Sequence, residues 1–277
     1  MPRLAEIEAH VASMDTLQGI VGAMRSLAGI RVQEAQRALP GVRRYAEVMA
    51  SAIGRTLGFI DEPPQRGALR GGRAVIVLTA EHGFSGGFNE RLMEMAERVL
   101  APDDRLYVLG SRGAAVLEER GRKPLWSQAM ATRSAGARDS ALALSDALYR
   151  GLAEGTLSRV EVIFSRFRQL GAWEVERKTL LPLDLPVLRS AQPPLHTLPP
   201  AALLESLTGD YVFALLVEAV VESIASENSA RFAAMESAHD NVGKKLDQLR
   251  QDANRVRQDE ITTELLDLVT GAEAVVR

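Results

Sequence analysis

Apolar residues recur at steps of three or four along both ends of this chain. Near the N-terminus, Leu4, Ile7, Val11, Met14, Leu17, Val21, Met24 and Leu27 form a narrow seam. That spacing turns one face of a helix toward a single partner helix. The steps average below 3.5, so the seam as read drifts around the helix in the manner of a stammer. Pro40 and Gly41 predict a kink, because proline offers no N–H to the carbonyl of Gln36. The pattern resumes with Tyr45, Val48, Met49 and Ala52 and stops near Gly58, ahead of Pro63 and Pro64. At the other end, Pro199 and Pro200 predict a helix that starts at 201 or 202. Leu204, Leu207, Tyr211, Leu215, Val221 and Ile224 begin its seam, and Val242, Leu246, Leu249, Ala253 and Val256 continue it. A polar run then interrupts, and Ile261, Leu265 and Leu268 restart the seam.

The middle has a different period. Residues 73–79 and 105–109 are short apolar runs suited to buried strands, each followed by a glycine-bearing turn and a helical stretch. The first of these helices is predicted over 88–100, and a further helix over 140–152. Residues 160–166 read as a strand and 173–181 as another, antiparallel one. Strand–helix alternation implies a mostly parallel sheet with crossover helices. The loop over 183–200 carries five prolines.

The predicted fold class is therefore α/β, with three parts: an N-terminal helix over 1–57, a small Rossmann-like domain over 70–190 and a C-terminal helix over 201–277. At about 1.5 Å per residue each long helix would reach on the order of 80–110 Å. Rods that outreach a globular core of this size need a partner, and the nearest is each other. Charge supports the pairing. Residues 1–57 carry seven Arg against four Glu and one Asp, or +2, whereas 201–277 carry seven Lys/Arg against fourteen Asp/Glu, or −7. Because exposed pairs are weak in salt, this argues for pairing and register and against nucleic-acid binding. Cysteine is absent, which excludes disulfides, thiolate metal sites and a cysteine nucleophile. The run 211–225 is broken by Glu218 and Glu222 and reads as a buried helix face rather than a membrane span.

Candidate chemistry is sparse. Gly83, Gly86 and Gly87 lie in a turn between a strand and a helix (GFSGGFN, 83–89), a place where a phosphate can be cradled. The turn lacks the Lys-Ser/Thr of a P-loop and the dinucleotide spacing, and the glycines are accounted for by positive φ and close packing. Ser85 satisfies Gly-x-Ser-x-Gly, but His196 and His239, the later histidines, lie in a proline loop and a rod. Glu81 and His82 could suggest acid–base work, yet the four histidines at 10, 82, 196 and 239 form no cluster. No enzyme motif survives, and neither a cofactor nor a metal is expected. The polar cluster Arg257, Gln258, Asp259, Glu260, Thr262 and Glu264 reads either as a solvated helix face or as a hydrogen-bonding surface for a surrounding partner.

Several of these segments together resemble the gamma subunit of the F-type rotary ATP synthase, over essentially the whole chain. They are SENSARFAAMESAHDN (226–241), NRVRQ (254–258), ITTEL (261–265), VTGA (269–272), the glycine turn, and Ala23-Met24, Ala35-Gln36 and residues 45–47. The resemblance implies an antiparallel coiled coil of the terminal helices, with an α/β domain at its foot. It also implies a non-catalytic rotor that couples ion translocation to ATP synthesis or hydrolysis at the beta subunits. Implied partners are the alpha and beta subunits, the epsilon subunit and the c subunits of the rotor ring, with one copy per complex and no direct membrane insertion. The implied location is the cytoplasmic face of a bacterial inner membrane. Matched positions assign Met24, Arg257, Gln258, Thr262 and Glu264 to contacts with the beta ring, and Arg44, Tyr45, Glu47, His196 and Glu205 to the foot. Gly22 and Arg25, Glu81 and His82, and residues 30–32 and 197–199 depart from the family pattern, which implies a divergent branch or alternate synthase operon. Two other classes compete with this reading: a small Rossmann-like nucleotide-binding enzyme with helical arms, and a coiled-coil adaptor.

Overall fold

A computed structural model describes residues 4–60, 71–188 and 195–276. Pro63 and Pro64, part of the proline-rich loop, and the side chains of the VTGA motif lie outside the described residues. The elements are α1 (Leu4–Leu57), β1 (Gly72–Leu78), α2 (Phe88–Val99), β2 (Arg105–Leu109), α3 (Ser111–Glu119), β3 (Trp126–Gln128), a 3-10 turn (Ser134–Gly136), α4 (Ala137–Ala153), β4 (Leu157–Gln169), β5 (Ala172–Leu181) and α5 (Pro200–Val276). Two compact units divide the chain, one of Ala28–Phe232 and the other of Met1–Leu27 with Ala233–Arg277, so the division cuts across both long helices.

In the larger unit a five-stranded sheet runs in the order β3-β2-β1-β4-β5. The β2–β3, β1–β2 and β1–β4 pairs are parallel and β5 is antiparallel to β4. Pleating divides the core between the two faces. Ala74, Ile76 and Leu78 of β1 face a cluster with α4 and with Leu39 of α1 and Leu216, Val220 and Ile224 of α5. Val75 and Val77 face α2 and α3 through Phe88, Leu92, Met93 and Leu117. From Ala74 to Leu78 β1 is apolar at every position, because both of its faces are covered there. The strand β3 and the 3-10 turn carry no pattern long enough to be read from sequence.

Close approach at the β1 end is set by Gly113. A Cβ there would lie 2.2 Å from Cγ2 of Thr79, and Thr79 is itself held by hydroxyl bonds to the carbonyls of Leu109 and Gly110. In the turn over 83–87 the expectation for the glycines is only partly met. Gly86 has φ 57°, but the other left-handed residue is Phe84, with φ 62°. Gly87, at φ −78°, has an ordinary conformation.

α1 runs unbroken through Pro40, with Leu39 and Ala46 on either side of it in the core. Its buried seam differs from the one read from sequence. Positions 4, 7, 11, 14, 18, 21, 25, 28, 32, 35, 39, 42, 46, 49 and 53 are all buried or partly buried. They alternate strictly between steps of three and four, so there is no stammer. Leu17 (41%) and Leu27 (54%) are exposed, and Gln18 and Ala28 take their places.

In the smaller unit α1 and α5 pair antiparallel. Arg25 meets Glu236 at 3.4 Å, Arg250 meets Asp15 at 3.0 Å and Arg257 meets Glu8 at 2.6 Å. In the last two pairs the arginine comes from the acidic helix, so local pairing rather than net charge sets the register. The α5 seam is 235, 239, 242, 246, 249, 253 and 256, again in strict alternation. The predicted restart at Ile261, Leu265 and Leu268 is not buried; these residues are 51%, 57% and 70% exposed. With Glu8 level with Arg257, this stretch of α5 runs past the first described residue of α1.

Gly113→Ala is expected to cost about 2 kcal/mol or more by overpacking against Thr79, whereas Gly87→Ala should cost under about 1 kcal/mol. Denaturant unfolding of the two variants checks the contrast.

Candidate functional surfaces

The glycine turn is organised by α5. Arg231 and Glu227 are both buried and form an ion pair of 2.5 Å. Arg231 also donates to Oδ1 of Asn228 at 3.0 Å and to the carbonyls of Gly83 and His82 at 3.2 Å each. Burial pushes the Glu227 carboxyl up from its ordinary value, against the pull of Arg231. The turn's carbonyls are thus engaged by a cation from the protein itself, which suits a brace rather than a phosphate cradle. His82 contributes a backbone carbonyl here.

Glu81 is likewise an acceptor. Its carboxylate takes the Ser111 amide at 3.0 Å, the Ser111 hydroxyl at 2.8 Å and the Met130 amide at 3.0 Å. Burial works against its charge, but these donors outweigh burial and hold the group below the usual carboxylate range. A carboxylate so stabilised is a poor proton acceptor near neutrality. Among the described residues no group of three or more His, Asp and Glu could hold a metal ion.

Four of the five residues assigned to the foot line one or the other of two cavities. Arg44, Glu47 and His196 line one of about 500 Å³. Arg44 and Glu47 pair at 3.2 Å, and His196 stacks on Phe59 with ring centroids 5.2 Å apart while its Nδ1 lies 2.8 Å from the carbonyl of Leu198. Tyr45 is exposed between Arg44 and Glu47. Glu205 instead lines a second, mostly apolar cavity of about 510 Å³ with Leu148, Tyr149, Leu204 and Val212.

The residues assigned to the beta ring also separate. Arg257, Gln258, Thr262 and Glu264 share one exposed stretch of α5. The Thr262 hydroxyl donates to the Gln258 carbonyl at 2.8 Å, which leaves its lone pairs as the open acceptor. Met24 is partly buried and precedes Arg25, whose partner Glu236 is roughly 30 Å along α5 from Arg257 at 1.5 Å per residue. Sequence reasoning missed the surface around Met24. Leu17, Ile20 and Leu27 are exposed large apolar residues on the face that also carries Met24. Enforcing strict three–four alternation on the seam would have displaced Leu17 and Leu27 onto this outer stripe.

Removing the Arg231 guanidinium with Ala should cost about 3–5 kcal/mol, because Glu227 is left as an unpaired buried charge; chemical unfolding measures it. Glu81 has a depressed folded pKa, so its contribution is present above the unfolded value of 4.5 and is lost as pH falls through the folded value. Glu81→Gln should therefore flatten the decline of stability below pH 4.5, on the order of 1 kcal/mol or less given partial solvent exposure. Unfolding curves at pH 3 and pH 7 test this.

A family model described as ATP synthase matches residues 3–275. The ATP synthase gamma chain of Moorella thermoacetica is 29% identical over 287 residues, spanning 99% of this chain and 100% of the relative. That of Streptomyces coelicolor is 30% identical over 292 residues, spanning 96% and 94%. In fold, the chain is similar to one in the cryo-EM structure of the Euglena gracilis mitochondrial ATP synthase (OSCP/F1/c-ring, rotational state 3). The TM-score is 0.67 at 14% identity, covering 98% of this chain and 94% of that one. A chain of the Tetrahymena thermophila mitochondrial ATP synthase central stalk and c-ring gives 0.57 at 16% identity, covering 79% and 99%. The glycine turn, the buried SENSAR segment and the paired terminal helices therefore belong to a member of the ATP synthase gamma chain family.

Proposed function

We propose that this chain is the non-catalytic central rotor subunit of an F-type ATP synthase, turning inside a ring of alpha and beta subunits. Its foot carries the epsilon subunit and the c subunits of the rotor ring, one copy of the chain serves each complex, and the complex sits on the cytoplasmic face of a bacterial inner membrane. The observation that carries this reading is the antiparallel seam of residues 7–25 against 235–256, with apolar Leu17, Ile20 and Leu27 left facing outward. A seam of two helices needs no third partner, so an additional apolar stripe and the exposed Ile261, Leu265 and Leu268 call for further chains around them. No described helix is long and apolar enough to cross a membrane, so membrane attachment runs through partners.

On this reading Met24 and the outer stripe make apolar contacts with the ring, and Arg257, Gln258, Thr262 and Glu264 make polar ones. Arg44, Tyr45, Glu47, His196 and Glu205 meet the epsilon and c subunits. The chain supplies shape and contact, and the reaction occurs on beta.

The test uses the chain assembled with its cognate alpha, beta, epsilon and ring subunits in vesicles. Ending the chain before Glu260 should lower ion-driven ATP synthesis at least tenfold. Full coupling in the truncated complex would remove the contact roles assigned to 261–268.

A further inference from the structure

α5 carries two carboxylates one helical turn apart, Glu218 and Glu222, that none of the surfaces above uses. Glu222 is fully buried, at 0% exposure, and Glu218 nearly so. Oε2 of Glu222 accepts the backbone N–H of Phe167 at 3.0 Å, beside the register irregularity that β4 shows between Phe167 and Gln169. Its Oε1 pairs closely with Nη2 of Arg43 on α1 and lies 3.5 Å from Nη1 of Arg166 on β4. Glu218 receives Nε of Arg43 at 3.3 Å, and lies 3.8 Å from Arg166 and 3.7 Å from Nζ of Lys178. The same face of α5 continues onto β4: the Ser226 hydroxyl donates to the Ser165 carbonyl at 3.1 Å, and the Ser229 hydroxyl to that of Gln169 at 3.1 Å. α5 is therefore joined to the sheet at several points. α1 enters this joint through Arg43.

Apolar side chains of similar volume would stabilise such a site at least as well, since desolvating charges is costly. What a charged joint supplies is a fixed geometry. The α1 seam in this unit sets small buried residues, Ala28, Val32, Ala35 and Ala46, among the larger Leu39 and Ile53, all on one strict three–four repeat. A strict seven-residue repeat resembles itself when shifted, and a single polar position is a well-attested means of fixing register. One guanidinium bonded to two carboxylates on successive turns of α5 resists both sliding and rotation of α1. Resting on the rotor reading, we propose that Arg43 is a positioning residue that keeps α1 in step with α5 and the sheet, so that torque reaches both helices together.

Arg43 is partly exposed, which makes it open to substitution without a cavity. In the assembled complex, Arg43→Gln should hydrolyse ATP within about twofold of the parent rate. Ions moved per ATP should fall at least threefold against an opposing ion gradient, and Arg43→Lys should recover part of that loss. Arg37→Gln, an exposed arginine of α1 outside this joint, serves as the control and should leave the ratio unchanged. The chain has no cysteine, so spin labels attached through Val48→Cys on α1 and Glu205→Cys on α5 report the register in the full chain alone. Arg43→Gln should broaden their distance distribution. An unchanged ion-to-ATP ratio overturns the proposal, and so does an unchanged distance distribution if the variant fails to assemble. A parent chain that cannot couple at all would instead sink the rotor reading.

Discussion

Ten consecutive residues of α5, 221–230, are buried on every side, and Glu222, Ser223, Ser226, Glu227, Asn228 and Ser229 among them are polar. A helix buried all round is ordinarily apolar all round. This one can exist only where the surroundings supply hydrogen bonds, because an unpaired buried polar group forfeits its hydration without return. Bonding partners come from the backbone of β4, the hairpin at Gly171 and the neighbouring Arg231, which itself donates to the turn at 82–83. Asn228 bonds back to the carbonyl of Ile224 within the helix, while the hydroxyls of Ser165 and Ser223 have no partner among the described residues. The position of the sheet against α5 is therefore set by directional bonds, and the apolar clusters on either face fill in around that placement.

The segment at 226–241 carries part of the family resemblance, and yet its sequence gives no clue to its work. Sequence displays residue types, and a run of Ser, Glu, Asn and Arg in a helical pattern has the composition of a solvated face. Its burial follows from tertiary context that periodicity does not encode. The elements of the sheet were more legible. β2 matches its predicted span, and β1, β4 and β5 differ only at their ends, because each is an apolar or alternating run bounded by turns. β3 has three residues paired to an inner strand, too short for any period. The seam of α1 was legible except for its parity: Leu17 and Leu27 look more like core than Gln18 and Ala28 do. The preference for large apolar residues gave way to the geometry of a strict heptad, with Gln18 facing Gly243, where an added Cβ would stand 3.2 Å from its Nε2.

The candidate surfaces were legible in kind and less so in arrangement. Residues 257–264 form one exposed stretch, as their contiguity requires on a single helix. The residues assigned to the foot come from distant parts of the chain, and only the fold reveals that Arg44, Glu47 and His196 share a cavity while Glu205 belongs to another. The acid–base reading of Glu81 and His82 fails on geometry that sequence cannot carry, since three donors converge on the carboxylate and the histidine contributes its backbone.

Different kinds of contact in the helical pair suit different duties under the rotor reading. Met235, Leu246 and Ala253 of α5 and Ile7 and Val21 of α1 are buried in the seam, where each apolar side chain removed from water contributes about 1.5–3 kcal/mol when fully covered. The cross-helix pairs Glu8–Arg257 and Asp15–Arg250 are about half exposed and add little in salt. Cohesion of the pair thus rests on the seam, and the charges chiefly fix its register. An axle must hold together throughout a turn while its outer contacts are made and released. Polar groups such as Gln258 and Glu264, in the contacts proposed for them, suit that second duty, because water replaces a lost hydrogen bond at small net cost.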